Sequence, residues 1–282
     1  MPNVPLRPYS RPSMWRRMSV ATWHASNDPQ VYLRVEVEMT AAMAYARRQS
    51  EATGVRVNPV HLVVRAVGAA MGAHPRANAL LRFGRVYLRE HVDIACQVAL
   101  DGPKPDLTAV VVRDVDRKTA VDIARELSEK ARAARDGTDV EVARTKRTMD
   151  LLPGFLYRPV LWLVAFLTYT LNLDLRWLGL PRDPFGGAMV TSIGGLGFDE
   201  ALGPLVPMTR APVLVAAGRV SERPLVVDGQ VVARPMITLG VTVDHRIIDG
   251  LEGGRVLATA REYLADPDAF EARAATAAAP GA

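Results

Sequence analysis

Cysteine is nearly missing from this chain. Cys96 is the only one among 282 residues, which rules out an internal disulfide and fits a reducing, cytoplasmic compartment. It sits in the apolar, strand-like run Val92–Leu100 and reads as core rather than as a nucleophile. No cluster of cysteine and histidine has metal-ligand spacing, so no metal is expected. No nucleic-acid motif is present. The first seventeen residues are rich in proline and arginine, with no apolar core behind them, which excludes a secretory signal. Long hydrophobic runs are lacking too. The uncharged stretch Pro159–Leu173 has 15 residues, short of the ~20 that span a bilayer. It reads first as a buried or subunit-interface helix, next as a peripheral membrane contact through 159–173, and last as a span.

What is present suffices for a large core. Hydrophobic residues make up 49% of the chain and charged residues 23%, with a net charge of +5. So small an excess reads as a solvated basic face, with an anionic cofactor or membrane surface as the sharper alternative. Tyr32–Glu38 alternates apolar and polar, a strand with one buried face. Thr40 is placed to cap a helix over Ala41–Ala52, and Gly54 to end it. Asn58-Pro59 opens a second helix, which stops near His74-Pro75. Val86–Leu88, Val92–Ala99 and Leu107–Val112 read as strands. Thr119 begins a helix that runs to Arg135. Ala188–Ile193, Pro212–Ala217, Leu225–Val227 and Met236–Val243 are further strands, with a hairpin turn at Asp228-Gly229. Leu251–Leu264 is the last helix, and residues 271–282 form a frayed, disordered tail. Strands outnumber helices without regular alternation, which favours α+β over a doubly wound sheet.

The run Asp244-His245-Arg246-Ile247-Ile248-Asp249-Gly250 leaves a strand and enters a helix. A neutral imidazole, ordinarily titrating near about 6.5, suits the removal of a proton from a thiol near about 8.5. Asp249, four residues on, can hold the loop and so fix the ring. Gly250 permits a backbone conformation closed to larger residues. By these residues alone, a histidine near an aspartate is more often structural than catalytic.

His245-Arg246-Ile247-Ile248-Asp249-Gly250 resembles the His-x-x-x-Asp-Gly signature of chloramphenicol acetyltransferase and of the catalytic domain of dihydrolipoamide acyltransferases, the core enzymes of 2-oxoacid dehydrogenase complexes. Asp244 in front makes the second group the closer one. Val213–Val243, Asn58–Asn78, His91–Ile94 and Val110–Asp116 are similar to the same family, as is the basic entry segment with Arg11 and Arg16-Arg17-Met18. The resemblance implies a mixed sheet with flanking helices and a homotrimer with active sites between subunits. It also implies coenzyme A as substrate, with a lipoyl thiol reaching the site from the other end of a channel. His245 would be the general base. The family's oxyanion donor is a hydroxyl on a strand before a glycine-rich turn. Thr191 is placed there, with Ser192 replacing it if the register is one residue off. Arg17 resembles the arginine that pairs with the signature aspartate.

Three departures qualify this. No lipoyl or partner-binding domain precedes the catalytic region, so the lipoyl group is expected on another chain. Leu100–Leu107 replaces the family's Thr-Pro-x-Gly-Leu turn near the substrate channel. Residues 138–183 read as an insertion within a single domain, 1–270, and carry the apolar helix. The expected function is acyl transfer between coenzyme A and a dihydrolipoyl-type thiol supplied in trans. The alternatives are transfer to a small-molecule acceptor, or a weakly active or inactive cage-forming homologue.

Overall fold

The computed structural model describes residues 2–10, 29–100, 106–139 and 153–278. Arg11, the Arg16-Arg17-Met18 segment, residues 101–105 of the altered turn and 140–152 of the expected insertion lie outside the described residues.

Ten strands are described: β1 (Leu6–Pro8), β2 (Gln30–Glu38), β3 (Ala79–Arg82), β4 (Arg85–Arg89), β5 (Ile94–Leu100), β6 (Asp106–Val112), β7 (Ala188–Ser192), β8 (Val213–Ala217), β9 (Ser221–Val227) and β10 (Gln230–Asp244). The main sheet runs β2-β10-β8-β7-β5-β6, with β9 paired to the first half of β10. β7 is parallel to both β5 and β8, while β10 is antiparallel to β2 and β8. The sheet is therefore mixed, as in many α+β folds. A small antiparallel sheet, β1-β4-β3, stands apart from it.

The described α-helices are α1 (Thr40–Thr53), α2 (Pro59–Ala73), α3 (Ala120–Arg135), α4 (Gly154–Ala165), α5 (Gly250–Ala265) and α6 (Pro267–Ala278), with a π-turn at Phe166–Thr170 after α4. The four helices α1, α2, α3 and α5 share one large core with the strands, to which α2 gives Leu62, Val63, Val64, Ala66, Val67 and Met71. α2 starts on a reciprocal cap, Asn58 Oδ1 accepting from His61 N and His61 Nδ1 from Asn58 N, which satisfies two of the orphan donors of the first turn. Thr119 caps α3 in the same manner with Asp122.

The opposite sheet face is crossed by residues 198–203. A Cβ on Gly218 would stand 1.9 Å from the Asp199 carbonyl, and one on Gly240 would stand 1.9 Å from the Ala201 carbonyl. Glycine at these two positions lets the crossing backbone lie directly on β8 and β10.

Four local expectations change. Thr40 is the first residue of α1 rather than its cap, and its N–H is taken by the Glu38 carboxylate at 2.8 Å. Gly250 has neither a positive φ nor a close neighbour, so nothing at that position demands glycine. The expected disordered tail from 271 is helical in α6 as far as Ala278. Alanine is the best helix former, and α6 is anchored by its side chains. Buried Arg65 of α2 pairs with Glu271 at 3.5 Å and lies over the rings of Tyr263 and Phe270. Finally, the apolar segment is not buried within the protomer: α4 buries Ala165 at its C-terminal end and leaves Phe155, Trp162 and Leu163 exposed.

Candidate active site

β10 is a central strand for most of its length, and its last residue delivers the signature turn. Asp244 N–H donates to the Pro212 carbonyl (2.9 Å) and His245 N–H to the Pro29 carbonyl (2.8 Å), so neighbouring chain grips the strand end from both sides. Ile247 and Ile248 N–H both bond to the Asp244 carbonyl at 2.9 Å. Their side chains are buried in the large core. The turn is thus pinned by hydrogen bonds at its start and by apolar anchors at its end.

The imidazole of His245 is half-buried. Its Nδ1 lies 2.8 Å from the Ile248 carbonyl oxygen. A carbonyl only accepts, so Nδ1 carries the proton and the basic lone pair falls on Nε2. Asp249 follows as the N-cap of α5, its Oδ1 accepting from Glu252 N–H at 2.9 Å. The cap fixes where the helix begins, and hence the turn whose carbonyl orients the ring. Asp244 is clasped by Arg246, with Nη2 at 2.7 Å and Nε at 3.0 Å from its two oxygens. Such bidentate pairs are among the stronger polar contacts.

A pocket of ≈120 Å³ opens beside this turn, lined by Pro29, Gln30, Arg210, Asp244, Arg246 and Ile247 among others. Burial, and then the charge of Arg246, lower the pKa of Arg210. A larger cavity of ≈270 Å³ is walled by Arg89, His91, Asp93, Arg113 and Asp183, and none of the expected site residues line it. The smaller pocket beside the turn is not lined by His245 or Asp249 themselves either.

The two candidate hydroxyls end β7. Alternation puts Ser192 on the face of Ala188 and Val190, which lies in the large core, and Thr191 on the face of Met189. Ser192 is exposed and Thr191 half-buried. Gly194 then turns the chain, packed so closely on Gly218 and Arg219 that a Cβ would come within 2.8 Å of their backbone.

These hydroxyls are not brought to His245 within one protomer. Ser192 is level with Ala217, and Ala217 with Leu239 of β10. Leu239 precedes His245 by six residues, or roughly 20 Å along an extended strand. The fold joins His245 and Asp249 in one turn and leaves Thr191 and Ser192 near the other end of the sheet. Arg17 lies outside the described residues.

Cys96 is core, its thiol pushed up to about 12 chiefly by burial. Among the described residues no group of three or more His, Cys, Asp or Glu side chains could hold a metal. The Ile248 carbonyl was not foreseeable, since a backbone acceptor has no sequence signature. The Arg246 clasp carried one, a cation two residues after Asp244.

His245 thus offers a defined basic nitrogen at the end of a central strand, on a mixed sheet flanked by helices. The model of the family described as 2-oxoacid dehydrogenases acyltransferase (catalytic domain) matches residues 4–142 and 184–271, and this chain belongs to that family. It is 29% identical to the dihydrolipoyllysine-residue succinyltransferase component of the mitochondrial 2-oxoglutarate dehydrogenase complex of Saccharomyces cerevisiae, over 82% of this chain and 42% of that protein. It is 28% identical to the Escherichia coli succinyltransferase component, over 82% and 47%. The chain thus spans less than half the length of these curated relatives. In fold it is similar to a probable dihydrolipoamide acetyltransferase from Listeria monocytogenes (TM-score 0.63, 20% identity, 89% of each chain). It is also similar to chloramphenicol acetyltransferase (TM-score 0.50, 14% identity, 92% of this chain and all of that one). A third likeness is to the Azotobacter vinelandii dihydrolipoamide acetyltransferase (TM-score 0.61, 22% identity, 86% and 84%), in a study of a serine, a histidine and an asparagine in its catalytic mechanism.

Proposed function

We propose that the protein moves an acyl group between coenzyme A and a dihydrolipoyl thiol carried by another chain, with His245 as general base. The observation that carries this reading is the bond from His245 Nδ1 to the Ile248 carbonyl, 2.8 Å long. It leaves Nε2 as the proton acceptor. Nε2 takes the proton from the attacking thiol as its sulfur bonds to the acyl carbon. The tetrahedral oxyanion collapses, the carbon–sulfur bond to coenzyme A breaks, and the departing sulfur recovers the proton from the imidazolium.

The oxyanion needs a donor, and one protomer does not place one at His245. The reading therefore takes the hydroxyl from a neighbouring copy in a homotrimer, with such trimers able to build a larger cage. Ser192 is the preferred donor. It is exposed where a second copy can reach it, and it precedes His245 by 53 residues. In the Azotobacter protein the serine precedes the histidine by 52, and the asparagine follows the histidine by four, as Asp249 follows His245. Thr191 is the second candidate.

The test is transfer from acetyl- or succinyl-coenzyme A to dihydrolipoamide, followed by chromatographic separation of free coenzyme A and the S-acyl product, since each thiol released is matched by one consumed. His245→Ala should lower kcat by on the order of 10³-fold with KM little changed, because the base acts only in the transition state. Retention of wild-type turnover in that variant ends the proposal. Ser192→Ala should cost ~10²–10³-fold and Thr191→Ala much less. The reverse ranking would move the donor to Thr191.

A further inference from the structure

A helix resting on a folded domain ordinarily turns its polar side to water. α4 is instead held at its C-terminal end: Ala165 is buried, as are Thr168 and Tyr169 of the π-turn that follows, and Ala165 and Tyr169 cluster with Val4 and Leu80. Along the rest of the helix Phe155, Trp162 and Leu163 are 79%, 63% and 49% exposed. Trp162 stacks on Phe166 one turn on, centroids 5.4 Å apart, so the rings form a ridge along the helix. Beyond the π-turn the chain keeps the same character, with Trp177 79% exposed and Leu171, Leu173 and Leu178 also open to solvent. A solvent-exposed apolar surface of this extent marks a contact with a protein or a membrane.

The charge around it selects between these. From Pro153 to Arg182 there are three arginines, Arg158, Arg176 and Arg182, against one aspartate. That aspartate, Asp174, is held by Arg176 at 2.7 Å. The β3–β4 turn is tied to the same segment by Arg82, whose Nε donates to the Thr170 carbonyl at 2.9 Å. It adds Arg85 and an exposed Phe83. A ridge of tryptophan, phenylalanine and leucine, flanked by Arg158 and Arg85 and by one carboxylate that Arg176 already holds, suits a helix that sinks among anionic headgroups. Among the described residues no helix is long and apolar enough to cross a membrane, so the contact lies in the surface.

We propose that residues 154–178 form an interfacial anchor, with Phe155, Trp162 and Trp177 inserted into the headgroup region of an anionic bilayer and Arg158 at its phosphates. The inference stands apart from the acyl-transfer reading. Its test is sedimentation of the full chain with phosphatidylcholine vesicles, with and without phosphatidylglycerol, alongside light scattering for oligomer mass. The wild type should pellet with the mixed vesicles. Binding should fall on the order of tenfold on phosphatidylcholine alone or in the Phe155→Ser/Trp162→Ser variant. Should that variant fail to fold, lipids brominated along their acyl chains decide, applied to a chain with Trp15 and Trp23 replaced by phenylalanine. They should quench its remaining tryptophan emission. A wild type that stays in the supernatant with both vesicles overturns the anchor, as does unquenched emission or a variant that binds as well as the wild type. If the wild type ignores vesicles and the variant loses oligomer mass, a second copy covers the ridge and the proposal falls.

Discussion

At the scale of single residues, two histidines illustrate how burial and bonding divide structural from chemical roles. His245 is half-buried and bonded through one nitrogen to a carbonyl. His61 is buried in the capping box of α2, where its Nδ1 accepts from Asn58 N–H at 3.2 Å. Burial lowers the His61 pKa to about 4, and protonation would also destroy the acceptor. The sign follows directly. The folded value lies below the ordinary value of about 6.5, so the stability it contributes is fully present above that pH. It is lost as the pH falls from about 6.5 toward about 4, to a total of roughly 3 kcal/mol. Melting temperature should drop across that window. His61→Gln, which keeps an acceptor at the third helical position, should flatten the drop. An unchanged pH profile in His61→Gln would remove His61 as its cause.

At the scale of elements, legibility tracked how local each cause was. α2 and α3 were readable because their caps, Asn58 and Thr119, are written beside them. The Asp228-Gly229 hairpin was readable because both residues hold positive φ, 50° and 77°. β3 and β1 were missed, since each is short and owes its existence to pairing with β4. β10 was truncated in the reading. Its first half includes Pro235, which discourages a strand assignment, yet it continues from Gln230 on the partnership of β9. α6 was misread as frayed because its anchor, Arg65, lies some 200 residues earlier in the chain. The crossing of residues 198–203 over β8 and β10 was equally hidden, since a glycine such as Gly240, inside the strand run Met236–Val243, does not say what backbone will lie on it. That crossing makes a sharp prediction. In Gly240→Ala the new methyl meets the Ala201 carbonyl, a backbone atom that cannot swing aside. Overpacking of this kind should cost about 1–3 kcal/mol, read as a lower urea midpoint with an unchanged slope. A variant as stable as the parent would mean the crossing segment is free to lift.

At the scale of the whole molecule, the sequence made His245, Asp249 and a β7 hydroxyl look like one constellation, and within one protomer the fold keeps the first two together and leaves the hydroxyl far from both. The base stands at the end of β10 that is level with the start of β7, and the hydroxyl stands at the other end of β7. Sequence spacing cannot reveal this, because parallel and antiparallel neighbours turn the same spacing into opposite placements. If the hydroxyl comes from a second copy, the dependence is measurable without seeing the interface. His245→Ala and Ser192→Ala chains, each nearly inactive alone, would be co-expressed with different tags and their mixed assemblies isolated. A site then works when its imidazole comes from one parent and its hydroxyl from the other, which in a mixed closed ring of three is about a third of sites. Mixed assemblies should recover acyl transfer to about that fraction of wild type. Activity no higher than the mean of the two parents would mean that base and hydroxyl never meet across a boundary. The oxyanion would then have to be stabilised by a group on the same chain as His245.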